Sequence, residues 1–544
     1  MTEENGIEQL YHLIEAIRKH TEFDHPVEKF ELVETHISFI LLTGHYAYKF
    51  KKPVNPGFLD FTTLEKRKFY CEEELRLNRR FAPDIYLDVT VSTGTPDHPV
   101  LDGDDDPLEY AVKMLQFPEC AELDSVLEKG ELTSGHMDDL ARRIADFHQW
   151  TDMARKDSPF GTLESVRRSV LDNFSAIRDT LQLDDCKEQL EQQQSWTVQS
   201  LEQLAMFVSE RKQEGYVREC HGDLHLGNIA LFEGKPVPFD CIEFSEDFRF
   251  IDVMNEIAFL IMDLDARGQS PLSFRFLDSY LQLTGDYEGL RLLRFYCVYR
   301  ALVRCKVTCI RLSQDDLGAS ERHRKSVLSR HYLELADHYT KAPAVALLIT
   351  HGLSGSGKTT LTQPLLERVG AIRVRSDVER KRLHGLGVGE KSASGLKAGI
   401  YKKESTTETY DRLLSLSGDI CESGYPVIVD ATFLQKELRM KFRRFAKDRN
   451  IPFAVLDFQA GEEDLRERVR KRKKSGSDAS EAGKDVLEYQ IDHREPLDDT
   501  EIDRAVVIDT SAAIDEIPLT GILAKIRGLT GLAPRHIEPA RDVD

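Results

Sequence analysis

Residues 221–228, HGDLHLGN, contain the first side chains whose types and spacing suggest chemistry. His221 and His225 lie on either side of Asp223, at a spacing that two metal ligands on one face of a helix could have. In a different interpretation, Asp223 and Asn228 have the spacing of the base and the magnesium ligand in a phosphoryl-transfer loop. The two interpretations need different partners elsewhere in the chain, so the rest of the sequence decides between them.

The metal interpretation needs a helix, and two glycines oppose one. Gly222 and Gly227 each cost about 1 kcal/mol relative to alanine in a helix interior, so we expect a loop. The sequence contains no further cluster of histidines and cysteines that would complete a metal site. His225 is therefore expected to brace the loop rather than to bind a metal ion.

The phosphoryl-transfer interpretation needs a second carboxylate, a strand lysine and an acidic partner for that lysine. Asp240 ends the apparent strand in KPVPFDCIEF, shortly after Asn228. Lys49 lies in the strand YAYKF, upstream of both. Glu74 lies on the inward-facing stripe of the next helix, by the helical repeat. All the required groups therefore occur in the order that this chemistry needs.

Each of these residues has a specific expected role in the transfer. Asp223 would orient an acceptor hydroxyl and accept its proton, while Asn228 and Asp240 would hold Mg²⁺. Lys49, paired with Glu74, would bind the α- and β-phosphates of ATP. Together they predict an ATP- and Mg²⁺-dependent catalytic site.

A second phosphate-binding signal lies at residues 352–360, GLSGSGKTT, which fits the P-loop pattern G-x-x-x-x-G-K-[ST]. The glycines allow backbone N–H groups to turn inward around phosphates, Lys358 reaches them, and the Thr359 hydroxyl can hold Mg²⁺. An apolar strand precedes the motif and a helical segment follows it, as the motif requires. The residues expected to bind ATP here are Gly352, Ser354, Gly355, Ser356, Gly357, Lys358, Thr359 and Thr360.

Three further segments could complete a reaction at the P-loop. Asp377, in RSDVERKRL, is either a catalytic base at the edge of a sheet or the N-cap of a helix, and both interpretations stay open. Neighbouring Arg375 or Arg380 could hold an anionic substrate. Asp430 ends the strand in VIVDATF and is expected to hold the Mg²⁺ shell or to contact the substrate. Arg472 lies in a basic run that is either a solvated helix face or a lid contacting ATP.

The candidate site residues lie in two regions of the chain that differ in their pattern of apolar and polar residues. The first part has strands and a helix up to about residue 120, followed by mostly helical sequence, which predicts a mixed lobe and a helical lobe. After about residue 343, short apolar strands alternate with polar helical segments, which predicts a parallel sheet flanked by helices. We therefore expect two domains, at 1–338 and 345–528, and a disordered tail at 529–544.

The motifs HGDLHLGN, FDCIEF and YAYKFKK make the first domain similar to the aminoglycoside-phosphotransferase branch of the protein-kinase-like fold. The resemblance implies ATP-dependent phosphorylation of a hydroxyl, usually on a small molecule. Two departures are visible, since the glycine-rich loop of protein kinases is absent and Asp-Cys-Ile-Glu replaces Asp-Phe-Gly. Glu243 of that sequence either adds a carboxylate to the metal site or is structural.

The second domain resembles small P-loop kinases of the gluconate-kinase, zeta-toxin and polynucleotide-kinase types, through GLSGSGKTT, RSDVERKRL and VDATF. The whole chain thus resembles bifunctional proteins that fuse an aminoglycoside-phosphotransferase-like domain to a P-loop ATP-binding kinase domain. The implied fold class is an α+β protein-kinase-like domain followed by an α/β P-loop NTPase domain. The implied activity is transfer from ATP to small-molecule hydroxyls at two sites.

Composition narrows the alternatives. The formal net charge of −21 makes nucleic acid an unexpected partner, although a nucleic-acid end kinase using the basic run of the second domain stays an alternative. A second alternative is a regulatory protein in which one domain binds ATP without catalysing a transfer. The nine cysteines form no CxxC pair, the N-terminus has no signal-peptide pattern, and apolar runs are too short for a membrane span. We expect a cytoplasmic protein with no membrane partner, and the sequence leaves both substrates and the oligomeric state open.

Overall fold

The computed structural model describes residues 3–57, 59–180, 186–314, 317–390, 402–475, 483–512 and 516–539; for residue 403 and residues 472–475 it describes the backbone alone. The chain forms two compact units. The first consists of Met1–Asp172 and Gln203–Leu260, and the second consists of Asn173–Glu202 and Ile261–Asp544. The predicted domain boundaries at 338 and 345 stay a prediction.

The first unit begins with an antiparallel sheet and two helices. Its elements are α1 (Glu3–His20), β1 (Glu31–Glu34), β2 (Ser38–Leu42), β3 (Tyr46–Lys51), α2 (Leu64–Asn78), β4 (Tyr86–Thr95), β5 (His98–Leu101) and β6 (Glu109–Leu115). The strand order is β1-β2-β3-β6-β4-β5, and every neighbouring pair is antiparallel. Apolar residues of α1 pack with Phe39, Tyr48 and Phe50 on one face. Residues 49 and 51 alternate with these, so they point to the opposite face.

The middle of the chain is helical, with two short two-stranded sheets. The elements are α3 (Leu123–Glu128), α4 (Ser134–Trp150), α5 (Leu163–Thr180), α6 (Lys187–Gln213), β7 (Val217–Glu219), β8 (Ile229–Phe232), β9 (Lys235–Pro238), α7 (Glu246–Arg249), β10 (Phe250–Asp252) and α8 (Val253–Ala266). β8 pairs with β9 and β7 pairs with β10, both antiparallel. HGDLHLGN thus lies between β7 and β8, and Asp240 lies just after β9. The predicted mixed lobe followed by helices is confirmed.

From residue 270 onward, the second unit has three long helices and then a parallel sheet. The helices are α9 (Ser270–Thr284), α10 (Leu290–Leu312) and α11 (Ala319–Thr340). The following elements are β11 (Leu347–His351), α12 (Lys358–Val369), β12 (Ile372–Arg375), α13 (Ser376–Leu383), α14 (Lys403–Glu422), β13 (Val427–Asp430), α15 (Lys436–Asp448), β14 (Phe453–Gln459), α16 (Glu462–Ser475), α17 (Lys484–His493), α18 (Asp499–Ile502), β15 (Ala505–Asp509) and α19 (Leu519–Thr530).

All strands of this second sheet are parallel, in the order β12-β13-β11-β14-β15. They coincide with the apolar segments that the sequence predicted, so the α/β part of the predicted fold class is confirmed. Parallel strands need helical crossovers, which explains the regular alternation. The carboxyl ends of β11, β12 and β13 lie side by side, where a P-loop fold binds its ligand.

The predicted tail begins inside the last helix, which ends at Thr530. The Arg535 guanidinium donates to Asp265 at 3.1 Å and lies over the ring of Phe274. Residues 540–544 lie outside the described residues. None of the helices in the described residues has the length and the apolar character that crossing a membrane requires.

Candidate active sites

The loop at 221–228 is fixed by a buried carboxylate from α8. Both oxygens of Glu256 accept backbone N–H groups, from His221 at 2.7 Å and from Gly222 at 3.0 Å. Gly222 has φ 89°, and a Cβ on it would lie 2.8 Å from the carbonyl oxygen of Phe248. This position therefore requires glycine, both for its left-handed backbone and for the missing side chain.

The two histidines of the loop contact the loop's own surroundings. The buried His221 ring places Nε2 2.7 Å from the carbonyl oxygen of Phe239, and burial lowers its pKa to about 4, so it is neutral and donates from Nε2. His225 Nδ1 accepts from the N–H of Gly227 at 3.2 Å, and its Nε2 lies 3.5 Å from Asp223 Oδ2. Both contacts match a bracing role for the histidines.

Asp223 and Asn228 are brought together within the loop. The Asn228 amide nitrogen donates to Asp223 Oδ2 at 2.9 Å and to the Asp223 carbonyl oxygen at 3.0 Å. Because the amide N–H₂ is used in this way, the amide oxygen is the atom of Asn228 suited to a metal ion. The Asp223 side chain is 37% exposed, so an acceptor hydroxyl can reach it.

Lys49, Glu74 and Asp240 also meet, although they are far apart in the sequence. Lys49 Nζ donates to Glu74 Oε1 at 2.9 Å and to Asp240 Oδ1 at 2.5 Å. Burial alone would lower the pKa of Lys49, but the carboxylates of Asp240 and Glu74 raise it well above its usual value. Burial likewise favours neutral Glu74, yet the adjacent lysines hold its pKa at about 2. The pair is thus ionised in the folded protein.

Asp240 has an unusual backbone conformation that presents its carboxylate. Its φ is 62°, its N–H donates to the hydroxyl of Tyr86 at 3.1 Å, and its side chain is 42% exposed. Together with the amide oxygen of Asn228, this carboxylate offers the oxygen ligands that Mg²⁺ prefers. The donor chemistry of the first site therefore fits Mg²⁺.

Sequence reasoning did not single out Lys51. Its Nζ donates to Glu74 Oε2 at 2.6 Å and also to Glu243 Oε1. The strand repeat contains a signal for it, since residues two apart on β3 share a face. Of the two roles left open for Glu243, this ion pair favours the structural one.

The P-loop forms the expected turn between β11 and α12. Gly352, Gly355 and Gly357 have φ values of 145°, 87° and 81°, which other residues rarely adopt. Lys358 Nζ donates to the carbonyl oxygens of Gly352 and Leu353 at 3.0 and 2.7 Å. The loop and its lysine therefore have the backbone geometry of a phosphate cradle.

The expected magnesium residues of the P-loop site lie in contact. Thr359 Oγ1 donates to Asp430 Oδ2 at 2.7 Å, and Arg375 Nε lies 3.9 Å from the same oxygen. A hydroxyl beside a carboxylate is a donor set that fits Mg²⁺. Of the remaining predicted phosphate-binding residues, Ser354 and Ser356 are buried in the loop and Thr360 is exposed on α12.

Asp377 is the second residue of α13, and the N-cap position belongs to Arg375. The N-cap interpretation of Asp377 is therefore wrong, because the helix begins two residues earlier than that interpretation requires. Asp377 is half-buried just beyond the end of β12, and its catalytic role stays a prediction. Arg380, on the same helix, donates to Thr406 Oγ1 at 3.2 Å.

The basic run forms most of α16, whose side chains are described as far as Lys471. Arg466 pairs with Glu488 at 2.8 Å, and Arg468 donates to the carbonyl oxygen of Thr510 at 2.5 Å. Leu465 and Val469 pack against Leu353 of the P-loop. The helix is thus in contact with the P-loop, and its role as a lid stays a prediction. The side chain of Arg472 lies outside the described residues.

Two family models match the chain. One is described as the phosphotransferase enzyme family and matches residues 123–293. The other is described as an AAA domain and matches residues 347–497. The first range contains HGDLHLGN and Asp240, and the second contains the P-loop and Asp430. The two matches follow the predicted order of a phosphotransferase-like part and a P-loop part.

Curated relatives match along most of the chain. Uncharacterized protein Rv2004c of Mycobacterium tuberculosis is 32% identical over 463 residues, which are 84% of this chain and 89% of that protein. Uncharacterized protein Mb2027c of Mycobacterium bovis has the same identity and coverage.

Solved structures resemble individual parts. Amicoumacin kinase hAmiN is 13% identical and covers 62% of this chain and 95% of its own, with a TM-score of 0.38. A gluconokinase from Sinorhizobium meliloti is 21% identical and covers 35% of this chain and 95% of its own, with a TM-score of 0.26.

Proposed function

Because the chain belongs to the family that fuses an aminoglycoside-phosphotransferase-like domain to a P-loop kinase domain, we propose that it transfers phosphoryl groups from ATP to hydroxyls of small molecules at two separate sites. Phosphotransferase activity follows from the family. The acceptor class, the use of two sites and the residue roles are the proposal.

The observation that carries the proposal is the cluster of groups at the first site. Lys49, Glu74 and Asp240 are in direct contact, and Asp223 is hydrogen-bonded to Asn228. These groups come from β3, α2 and two separate loops. A structural ion pair needs only two partners, whereas phosphoryl transfer needs all of these groups. Their joint occurrence therefore supports catalysis.

In the proposed reaction, the acceptor oxygen forms a bond to the γ-phosphorus while the bond to the β–γ bridging oxygen breaks and ADP leaves. Asp223 orients the hydroxyl and accepts its proton. Lys49, held by Glu74, stabilises the α- and β-phosphates. When bound, Mg²⁺ would supply positive charge to the phosphates, and Asn228 and Asp240 would hold it.

At the second site, the P-loop N–H groups and Lys358 would hold the phosphates, and Thr359 with Asp430 would hold Mg²⁺. Asp377 is the proposed base, at the carboxyl edge of the sheet beside the loop. Positioning and charge neutralisation would supply most of the rate at both sites.

The test measures labelled-ATP consumption by the full-length protein in a small-molecule extract, followed by identification of the phosphorylated product. Asp223→Asn should lower the rate at which one product forms by about 10²–10³-fold, and Lys358→Ala should lower the rate for the other product by a similar factor. Lys447→Ala serves as the control, because Lys447 is an exposed lysine of the second unit. It should leave both products unchanged.

The outcomes separate the alternatives. If neither variant lowers turnover, the proposal fails at both sites. If one variant has no effect although its site binds ATP, that domain is regulatory. A parallel reaction with oligonucleotide 5′-ends tests an end kinase, and labelling of those ends alone would overturn the small-molecule acceptor.

A further inference from the structure

Lys51 has no role in the transfer scheme, and its surroundings assign it one. Its side chain is fully buried between α2 and the segment that follows Asp240. It occupies Glu74 Oε2, while Lys49 occupies Glu74 Oε1. Each oxygen of Glu74 therefore has its own lysine, and the carboxylate cannot rotate without losing a buried charge-assisted hydrogen bond.

Glu243, the second partner of Lys51, belongs to the loop that presents Asp240. Its side chain is only 4% exposed. Lys51 thus joins the metal-binding loop to both β3 and α2 through side-chain charge. The loop is also held by the ion pair of Lys49 with Asp240 and by contacts of its backbone. Its N–H groups donate from Phe239 to Asn228 O at 2.9 Å, from Asp240 to the Tyr86 hydroxyl at 3.1 Å, from Cys241 to Asn78 Oδ1 at 2.9 Å and from Ile242 to His221 O at 3.0 Å. The carbonyl oxygens of Phe239 and Glu243 accept from His221 and Arg249.

The charges in this cluster explain why a second lysine is needed. Glu74, Asp240 and Glu243 are three carboxylates, and Lys49 alone contacts only two of them. Without Lys51, Glu243 and Glu74 would be buried like charges, which repel strongly in a poorly solvated interior. Lys51 lies between the two carboxylates and forms an ion pair with each, so its positive charge offsets their repulsion.

We propose that Lys51 and Glu243 form a bridge that positions the Asp240 loop for the metal ion, and that Glu243 is not itself a metal ligand. The bridge rests on the proposed function, because the metal role of Asp240 does. It accounts for the glutamate in Asp-Cys-Ile-Glu by a contact with β3 rather than with Mg²⁺.

The first experiment measures binding of the non-hydrolysable ATP analogue AMP-PNP to full-length protein carrying Lys358→Ala, so that the P-loop site does not contribute. Binding is measured with Mg²⁺ and again with EDTA. Lys51→Met and Glu243→Gln should each weaken the Mg²⁺-dependent binding by about tenfold or more, as changes behind a metal ligand typically do. Binding in EDTA should change little.

A double variant shows whether the two residues act as one unit. Lys51→Met combined with Glu243→Gln should weaken binding no more than either change alone, because both remove the same bridge. Additive losses would overturn the bridge. Loss in Glu243→Gln with none in Lys51→Met would instead make Glu243 a metal ligand.

The second measurement uses protein without nucleotide or metal. Hydrogen–deuterium exchange of the amides at 239–242 should accelerate in both variants, because the loop loses its attachment through Glu243 and keeps only the ion pair of Lys49 with Asp240 among its side-chain ion pairs to β3. Unchanged exchange in both variants would contradict the bridge.

The matched control is Glu109→Gln. Glu109 is buried and pairs with Arg67 of the same helix α2, at 2.8 Å. The Glu109→Gln variant should disturb the helix without altering the Mg²⁺ dependence of AMP-PNP binding. If this variant lost as much Mg²⁺-dependent binding as Lys51→Met, general destabilisation would explain both losses and the bridge would be overturned. If the parent protein binds no AMP-PNP with Mg²⁺, the proposed function of the first site fails, and the bridge fails with it.

Discussion

The two proposed phosphate sites of this chain are built in opposite ways. In the first site, side chains meet across long sequence separations, since Lys49 and Asp240 are 191 residues apart. In the second, the predicted phosphate-binding residues are contiguous, at 352–360, and Lys358 donates to carbonyl oxygens of the same loop. In a site made of buried ion pairs, the residues proposed for function also stabilise the fold. In a site made of one contiguous loop, function depends on the local backbone conformation instead.

The largest expected effect concerns the centre of the buried network. Glu74→Gln leaves Lys49 and Lys51 buried without their shared carboxylate, so the free energy of unfolding of the first unit should fall by about 3–5 kcal/mol. Denaturant unfolding followed by fluorescence measures it. Trp150 lies in the first unit, so a Trp196→Phe background, which removes the second of the two tryptophans, isolates its signal.

Glu72→Gln is the matched control on the same helix. The Glu72 side chain is 56% exposed, and its ion pair with Lys68 spans 3.9 Å. It should change the unfolding free energy by no more than about 0.5 kcal/mol. Equal effects of the two variants would show that the buried network adds nothing to stability, and the comparison between the sites would break.

The next effect is a pH dependence of the first site. Burial lowers the pKa of His221 to about 4 from a usual value of 6.5. The unfolded chain then binds more protons than the folded one between these values, so stability is complete above pH 6.5 and falls as the pH drops toward 4. The loss should reach about 3 kcal/mol.

Unfolding followed by Trp150 from pH 7 to pH 4 measures this loss. His221→Asn removes one titrating group and should make the slope shallower in that range by the share that His221 contributes. An unchanged slope in the variant would assign the acid sensitivity to other groups, such as the buried His148, whose pKa burial lowers to about 3.

The contrast between a contiguous loop and side chains that meet across long sequence separations also explains which features the sequence could predict. The P-loop was predictable because its function is encoded in adjacent residues. Lys49 and Glu74 were predictable because helix and strand repeats fix which face a side chain occupies. The contact of Lys51 with Glu243 was not, because it depends on a fold that brings residues 192 positions apart together. The N-cap interpretation of Asp377 failed by two residues, because helix ends are poorly encoded locally.

A smaller effect concerns the backbone of the first loop. Gly222→Ala must adopt φ 89° and also bring a Cβ to 2.8 Å from the carbonyl oxygen of Phe248. It should destabilise the first unit by about 2 kcal/mol. Gly234→Ala is the control, since Gly234 has φ 74° but no atom within 4 Å of the added Cβ, so only the backbone cost of about 1 kcal/mol applies. Equal losses in unfolding experiments would mean that the loop moves to accommodate the methyl group.

The smallest stability effect is expected at the P-loop. Thr359→Val removes the hydrogen bond of 2.7 Å to Asp430 and keeps the branched shape, so the second unit should lose only about 1 kcal/mol. Trp196 in a Trp150→Phe background reports the unfolding of that unit. Thr360→Val, which changes an exposed threonine of the same helix, is the control.

Mg²⁺-dependent binding of AMP-PNP at the P-loop should nevertheless fall by about tenfold or more in Thr359→Val. A stability loss as large as that of Glu74→Gln would show that the P-loop site, too, depends on a buried polar network, and the distinction between the two sites would disappear.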